Sequence, residues 1–123
     1  MANRFYYNGE LIRTSKDHTY THAALNINTG KCYGCSSTYK GAQANIDRMI
    51  SGYRTGIENS KLAIKALEKG ARGYWVKIGG GRSYFERFFK EDTIESFEEY
   101  IKACEDKLDW IAENLRVVEL EMR

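Results

Sequence analysis

Cys32-Tyr33-Gly34-Cys35 is the closest pairing of reactive side chains in the chain. Two thiols at this spacing suit a redox dithiol, whose first thiol needs a helix N-terminus to lower its pKa. They also suit half of a zinc site, which needs two further ligands. His18, His22 and Cys104 are the remaining ligand candidates, and they show no metal-ligand spacing. Cys32 falls within an expected strand, where alternate residues point to opposite faces. The pair therefore reads as small, half-buried thiols, with zinc as the alternative. His18, His22, Ser36 and Ser37 have no acid and nucleophile beside them at a spacing that suits catalysis, and no cofactor is implied.

A second constellation suits binding. Gly79-Gly80-Gly81-Arg82-Ser83 lacks the spacing of a P-loop and reads first as a hairpin turn. Its alternative reading is a backbone cradle for phosphate, because Arg82 lies near Trp75, Tyr84 and Phe85 in sequence. Guanidinium groups fork onto phosphate oxygens, and rings stack on a base. The expected ligand set is Trp75 and Phe85 for base stacking, with Arg82, Arg54, Arg13 and Arg116 for phosphates. Tyr20, His22 and Lys77 are expected to add ribose and phosphate contacts. Each has a plainer alternative: a solvated loop for Arg13, an exposed polar strand face for His22, and a helix-dipole partner for Arg116.

An α+β fold must position these groups: a small N-terminal antiparallel sheet plus two long helices, arranged as one domain over residues 1–123. Residues 1–37 read as β-hairpins. Asn8-Gly9 between apolar runs is a strong hairpin signal, since both turn positions favour positive φ. In the strand Tyr20–Ile27, the face of Thr21, Ala23, Leu25 and Ile27 is the more apolar and is expected to meet the core. Ser36, Ser37 and Thr38 are candidate caps for a helix over residues 38–70, with Gly70 at its C-terminal cap. Gly52 and Gly56 inside that helix are either tolerated weaknesses or a flat patch for a close approach. A glycine-turned hairpin follows over residues 73–89.

Asp92 and Glu95 form a capping-box pattern for a second helix over residues 92–115. Ile94, Phe97, Ile101, Cys104, Leu108, Ile111 and Leu115 recur at spacings of three and four, an unbroken heptad stripe. That stripe must be buried within one subunit or between two. A short final strand is expected over residues 117–121.

Composition limits the function classes. The 123 residues are 42% hydrophobic and 29% charged, ordinary values for a globular domain. A net charge of +2 is too small for bulk attraction to a nucleic-acid polymer, but a small dianion needs only two or three aimed cations. No apolar run approaches the ~20 residues of a membrane span. The N-terminus shows no cleaved-signal pattern, and three cysteines do not make a disulfide framework, so an intracellular, reduced protein is expected.

The layout resembles a known family. A Tyr-rich first strand leads to Asn8-Gly9-Glu10-Leu11-Ile12-Arg13-Thr14-Ser15, then Tyr20-Thr21-His22-Ala23, then the Ser36-Ser37-Thr38 cap and two extended helices. This is similar to the small phage Thoeris anti-defence proteins of the first type, and the likeness spans most of the chain. The resemblance implies a non-enzymatic, homo-oligomeric protein acting in the cytoplasm of a host bacterium. It would hold intact a glycocyclic ADP-ribose made by a TIR-domain immune enzyme, in a pocket between subunits, so that the downstream effector stays silent. The resemblance also extends the expected ligands to cyclic oligonucleotides. No contact residue of the family is carried onto this chain. A protein-interaction module that inhibits a host enzyme directly is the alternative, and a metal or thiol enzyme is a third.

Overall fold

A computed structural model describes residues 1–123 and shows an α+β fold of two helices and small antiparallel sheets. The strands are β1 (Asn3–Tyr7), β2 (Glu10–Ser15), β3 (His22–Asn26), β4 (Cys32–Ser36), β5 (Gly73–Gly79), β6 (Arg82–Arg87), β7 (Leu115–Glu119) and β8 (Glu121–Met122). The helices are α1 (Tyr39–Glu68) and α2 (Ile94–Asn114). The chain divides into two compact units, one of residues 1–50 and 110–123 and one of residues 51–109.

The first unit holds two three-stranded sheets, β2-β1-β8 and β4-β3-β7. Asn8 and Gly9 take φ of 49° and 80°, as a tight β1–β2 turn requires. Phe5 is fully buried, and a bulge after it shifts the register from Arg13 to Leu11. β3 is the central strand of its sheet, paired antiparallel with β4 and β7. Ala23, Ala24, Leu25 and Asn26 are all buried, whereas Ile27 is exposed. The expected one-sided strand is therefore corrected: β3 is covered on both faces, and Ile27 lies beyond it in the turn. Asn26 orders that turn, its Oδ1 accepting from the Asn28 and Thr29 amides at 2.8 and 3.1 Å.

The C-terminal segment differs from expectation. Leu115, placed on the helical stripe by sequence, is the first residue of β7 and pairs with Asn26. The strand thus starts before residue 117, and the chain then enters the other sheet, where β8 pairs with β1. α1 begins at a cap formed by Thr38, whose Oγ1 accepts from the Gly41 amide at 3.0 Å.

The second unit contains residues 51–68 of α1, the β5–β6 hairpin and residues 94–109 of α2. α1 ends in a Schellman arrangement: the Ala71 amide donates to the Ala66 carbonyl and the Gly70 amide to Leu67, with Gly70 at φ 70°. The second cap sits one residue later than expected. Thr93 Oγ1 accepts from the Ser96 amide at 3.1 Å, and Ser96 Oγ accepts from the Thr93 amide at 3.0 Å. Asp92 instead closes the preceding turn by accepting from the Phe89 amide at 2.8 Å.

The two helical glycines separate in role. Gly52 faces open space, but a Cβ at Gly56 would lie 3.2 Å from the Tyr100 ring and 3.5 Å from Cys104 Sγ. Only Gly56 is a close approach, and what approaches it is α2. On the heptad stripe, Cys104 and Ile111 are buried, while Ile94, Phe97, Ile101 and Leu108 keep part of their surface in solvent.

Candidate functional site

The β5–β6 hairpin carries the densest set of exposed aromatic and cationic groups. Three consecutive positive-φ residues, Gly79, Gly80 and Gly81, turn the chain. The register then pairs Trp75 with Phe85, Val76 with Tyr84 and Lys77 with Ser83. A two-stranded hairpin is marginal alone, so both its face and its edge need support. Tyr74 stacks on Phe88 at 5.3 Å between centroids, and Phe97 of α2 meets both rings edge-on at 6.0 and 6.1 Å. Along the outer edge of β5, the Asn59 side chain of α1 imitates a neighbouring strand. Its Oδ1 accepts from the Lys77 amide at 2.8 Å, and its Nδ2 donates to the Lys77 carbonyl at 2.9 Å.

With Tyr74 turned to α2, alternation sends Trp75 and Phe85 to the other face. Their rings meet edge to face at 5.5 Å and remain 61% and 48% exposed. Gly73 makes this possible, because a Cβ there would fall 2.7 Å from the Phe85 ring and collide with the Glu86 carbonyl. Beside the rings lies a groove of about 480 Å³. Leu62 and Ala66 of α1 floor it, and Lys65, Lys69 and Lys77 stand around it. A second depression of about 300 Å³ adjoins the turn, lined by Lys77, Gly79, Gly81, Arg82 and Ser83. Lys77 and Ser83, cross-strand partners, line both. The Lys77 ammonium ion-pairs with Glu58 at 2.7 Å, so an incoming phosphate competes with a half-exposed carboxylate.

The structure brings four of the nine expected ligand residues onto this hairpin: Trp75, Lys77, Arg82 and Phe85. Arg54 is exposed on α1. The other four belong to the first unit. Arg13 places its guanidinium 6.0 Å from the Tyr20 ring centroid and 3.9 Å from Cys32 Sγ. His22 Nδ1 hydrogen-bonds Thr21 Oγ1 at 2.7 Å, and its ring meets Tyr39 edge-on. Arg116 donates through Nη1 to the Ala112 and Leu115 carbonyls at 2.6 and 2.7 Å, at the C-terminus of α2. The first unit also has a pocket of about 220 Å³, lined by Tyr7, Glu10, Asn26 and Asn28 among others, with one carboxylate and no cation. That lining is poorly suited to an anion.

Sequence reading missed Lys65, Lys69 and Asn59. Lys65 lies in the last turn of α1 and Lys69 follows one residue past its end, and both line the groove. It also missed the proximity of Cys32 and Cys35, whose Sγ atoms lie 3.7 Å apart. No group of three or more His, Cys, Asp or Glu side chains is placed to hold a metal ion, and no helix is long and apolar enough to cross a membrane. No protein-family model, curated protein or solved structure matches the chain.

Proposed function

We propose that this chain binds and sequesters a cyclic ADP-ribose signal of the glycocyclic type in the host bacterial cytoplasm, without degrading it, and so keeps a host effector inactive. The observation that carries the reading is the exposed Trp75–Phe85 pair beside a groove ringed by Lys65, Lys69 and Lys77. A base laid on such a shelf gains about 1–3 kcal/mol from stacking. Lysine ammoniums and Arg82 are the groups that a pyrophosphate needs. The groove volume of about 480 Å³ falls among ligand sites.

Capture of a scarce signal requires most of the ligand to be enclosed, and the groove is open on one side. A second copy closing over the hairpin would enclose it, and the partly exposed stripe residues Ile94, Phe97, Ile101 and Leu108 offer such a copy an apolar surface. The proposed active form is therefore a homo-oligomer.

Calorimetry with glycocyclic ADP-ribose tests the reading. Expected are saturable heat at micromolar protein and recovery of the ligand unchanged after denaturing the complex. No heat, or recovery of a hydrolysed product, overturns it. The exposed Ile78, Tyr84 and Phe89 favour a second reading, direct docking on a host enzyme. Capture of one stoichiometric host protein with no nucleotide bound would select it.

A further inference from the structure

The thiols of Cys32 and Cys35 share one face of β4, contrary to regular strand alternation. The register shows why. Leu25 pairs with Cys32, Ala24 with Gly34 and Ala23 with Cys35, so Tyr33 is the extra residue of a β-bulge. The bulge shifts the side-chain phase by one and sets both cysteines opposite residues of the same β3 face. Partners two residues apart on β3 are ~6.8 Å apart, at the upper end of the ~4.4–6.8 Å Cα separation that a disulfide spans. The Sγ atoms already stand 3.7 Å apart, and both residues are partly accessible. Across from them, Arg13 of β2 places Nη2 3.9 Å from Cys32 Sγ.

We propose that Cys32 and Cys35 are a redox-active dithiol that reacts with low-molecular-weight disulfides such as glutathione disulfide, with Cys32 as the attacking and Cys35 as the resolving thiol. The Cys32 thiolate attacks one sulfur of the disulfide, forming a Cys32–glutathione bond and expelling one glutathione thiolate. Cys35 gives up its proton and attacks Cys32 Sγ, forming the internal disulfide and expelling the second thiolate. Two protein thiols are oxidised and one external disulfide is reduced, and the two released thiolates take up the two protons. The asymmetry has a physical origin. The Cys35 thiol donates to Cys32 and, with the Gly34 amide and the Arg13 charge, outweighs burial to bring the Cys32 thiol down to about 6. The same hydrogen bond, with burial, holds Cys35 protonated far above the ordinary thiol range.

The test treats the folded chain with glutathione disulfide and maps its products by intact mass and peptide mass spectrometry. Wild type is expected to form the Cys32–Cys35 disulfide while Cys104, 3% exposed, stays free. Cys35→Ala is expected to stop at a glutathione adduct on Cys32, and Cys32→Ala to give neither product. Iodoacetamide labelling of wild-type Cys32 is expected to titrate near pH 6, and in urea to move up to the ordinary thiol value. At pH 6, losing the Cys35 donor is expected to slow labelling at least ~5-fold, the effect on the thiolate fraction of a one-unit rise in pKa from about 6. Two free thiols in folded wild type after glutathione disulfide, a stable adduct in wild type, or equal reactivity of the two single variants overturns the proposal.

Discussion

Asn59 is the residue whose removal most directly tests how the hairpin is held. Asn59→Ala deletes two hydrogen bonds to the Lys77 backbone, of 2.8 and 2.9 Å, while the Tyr74–Phe88–Phe97 cluster stays intact. Each bond is worth about 0.5–1.5 kcal/mol net. Lys77 is exposed, so water satisfies its freed groups and the loss falls toward the low end, about 1–2 kcal/mol in total. Glu58→Ala provides the contrast. It breaks the 2.7 Å ion pair to the same Lys77, but the two side chains are 56% and 55% exposed. Solvent screening leaves such a pair worth about 0–1 kcal/mol.

Amide exchange with urea unfolding measures both variants. Asn59→Ala is expected to speed exchange of the Lys77 amide about 5–30-fold, while the buried amides of α1 around Ala63 keep their protection. Asn59→Asp keeps the acceptor and loses the donor, so it should fall between wild type and Ala. Equal effects of Asn59→Ala and Glu58→Ala, or unchanged Lys77 exchange in Asn59→Ala, would refute the claim that α1 pins β5 by imitating a strand.

Further outcomes follow from the same geometry. Trp75→Ala should weaken glycocyclic ADP-ribose binding by about 1–3 kcal/mol by calorimetry, with little change in stability, because the ring is 61% exposed. Gly52→Ala should raise stability by about 0.5–1 kcal/mol in denaturant titration, since nothing crowds its Cβ; Gly56→Ala should gain less, because the Tyr100 ring must yield. Thr93→Ala should cost about 1 kcal/mol, whereas Glu95→Ala should cost less, because Thr93 and Ser96 make the reciprocal cap. The Cys32 thiol is lowered from 9.0 to about 6 in the fold, so its contribution to stability should grow from about pH 6 to pH 9 and vanish as pH falls through 6. Urea titrations of wild type against Cys32→Ala at the two ends of that window measure the difference.

Local chemistry was legible wherever one short motif decides the backbone. Asn8-Gly9, the long apolar periodicities and Gly70 led to the first hairpin, both helices and the α1 C-cap. What resisted reading depends on residues distant in sequence. The bulge at Tyr33 exists only against its β3 partners, so alternation along β4 alone placed the two thiols on opposite faces. Leu115 continues the stripe of α2 in spacing, yet pairing with Asn26 draws it into a sheet. Asp92 and Thr93 are both good caps, and the turn back to Phe89 decides between them. The nearness of Trp75 and Phe85 was legible because the hairpin joins near neighbours in sequence. The Arg116 contact with carbonyls at the end of α2 matches the helix-dipole role that its position suggested.

Titration of isotopically labelled protein with glycocyclic ADP-ribose, followed by NMR, tests the central claim most directly. The account predicts saturable shifts of the Trp75 indole and of the Lys77, Ser83 and Arg82 amides, with the Arg13 and Tyr20 signals unmoved. Shifts centred on Arg13 and Tyr20, or no shifts at all at millimolar ligand, would contradict it.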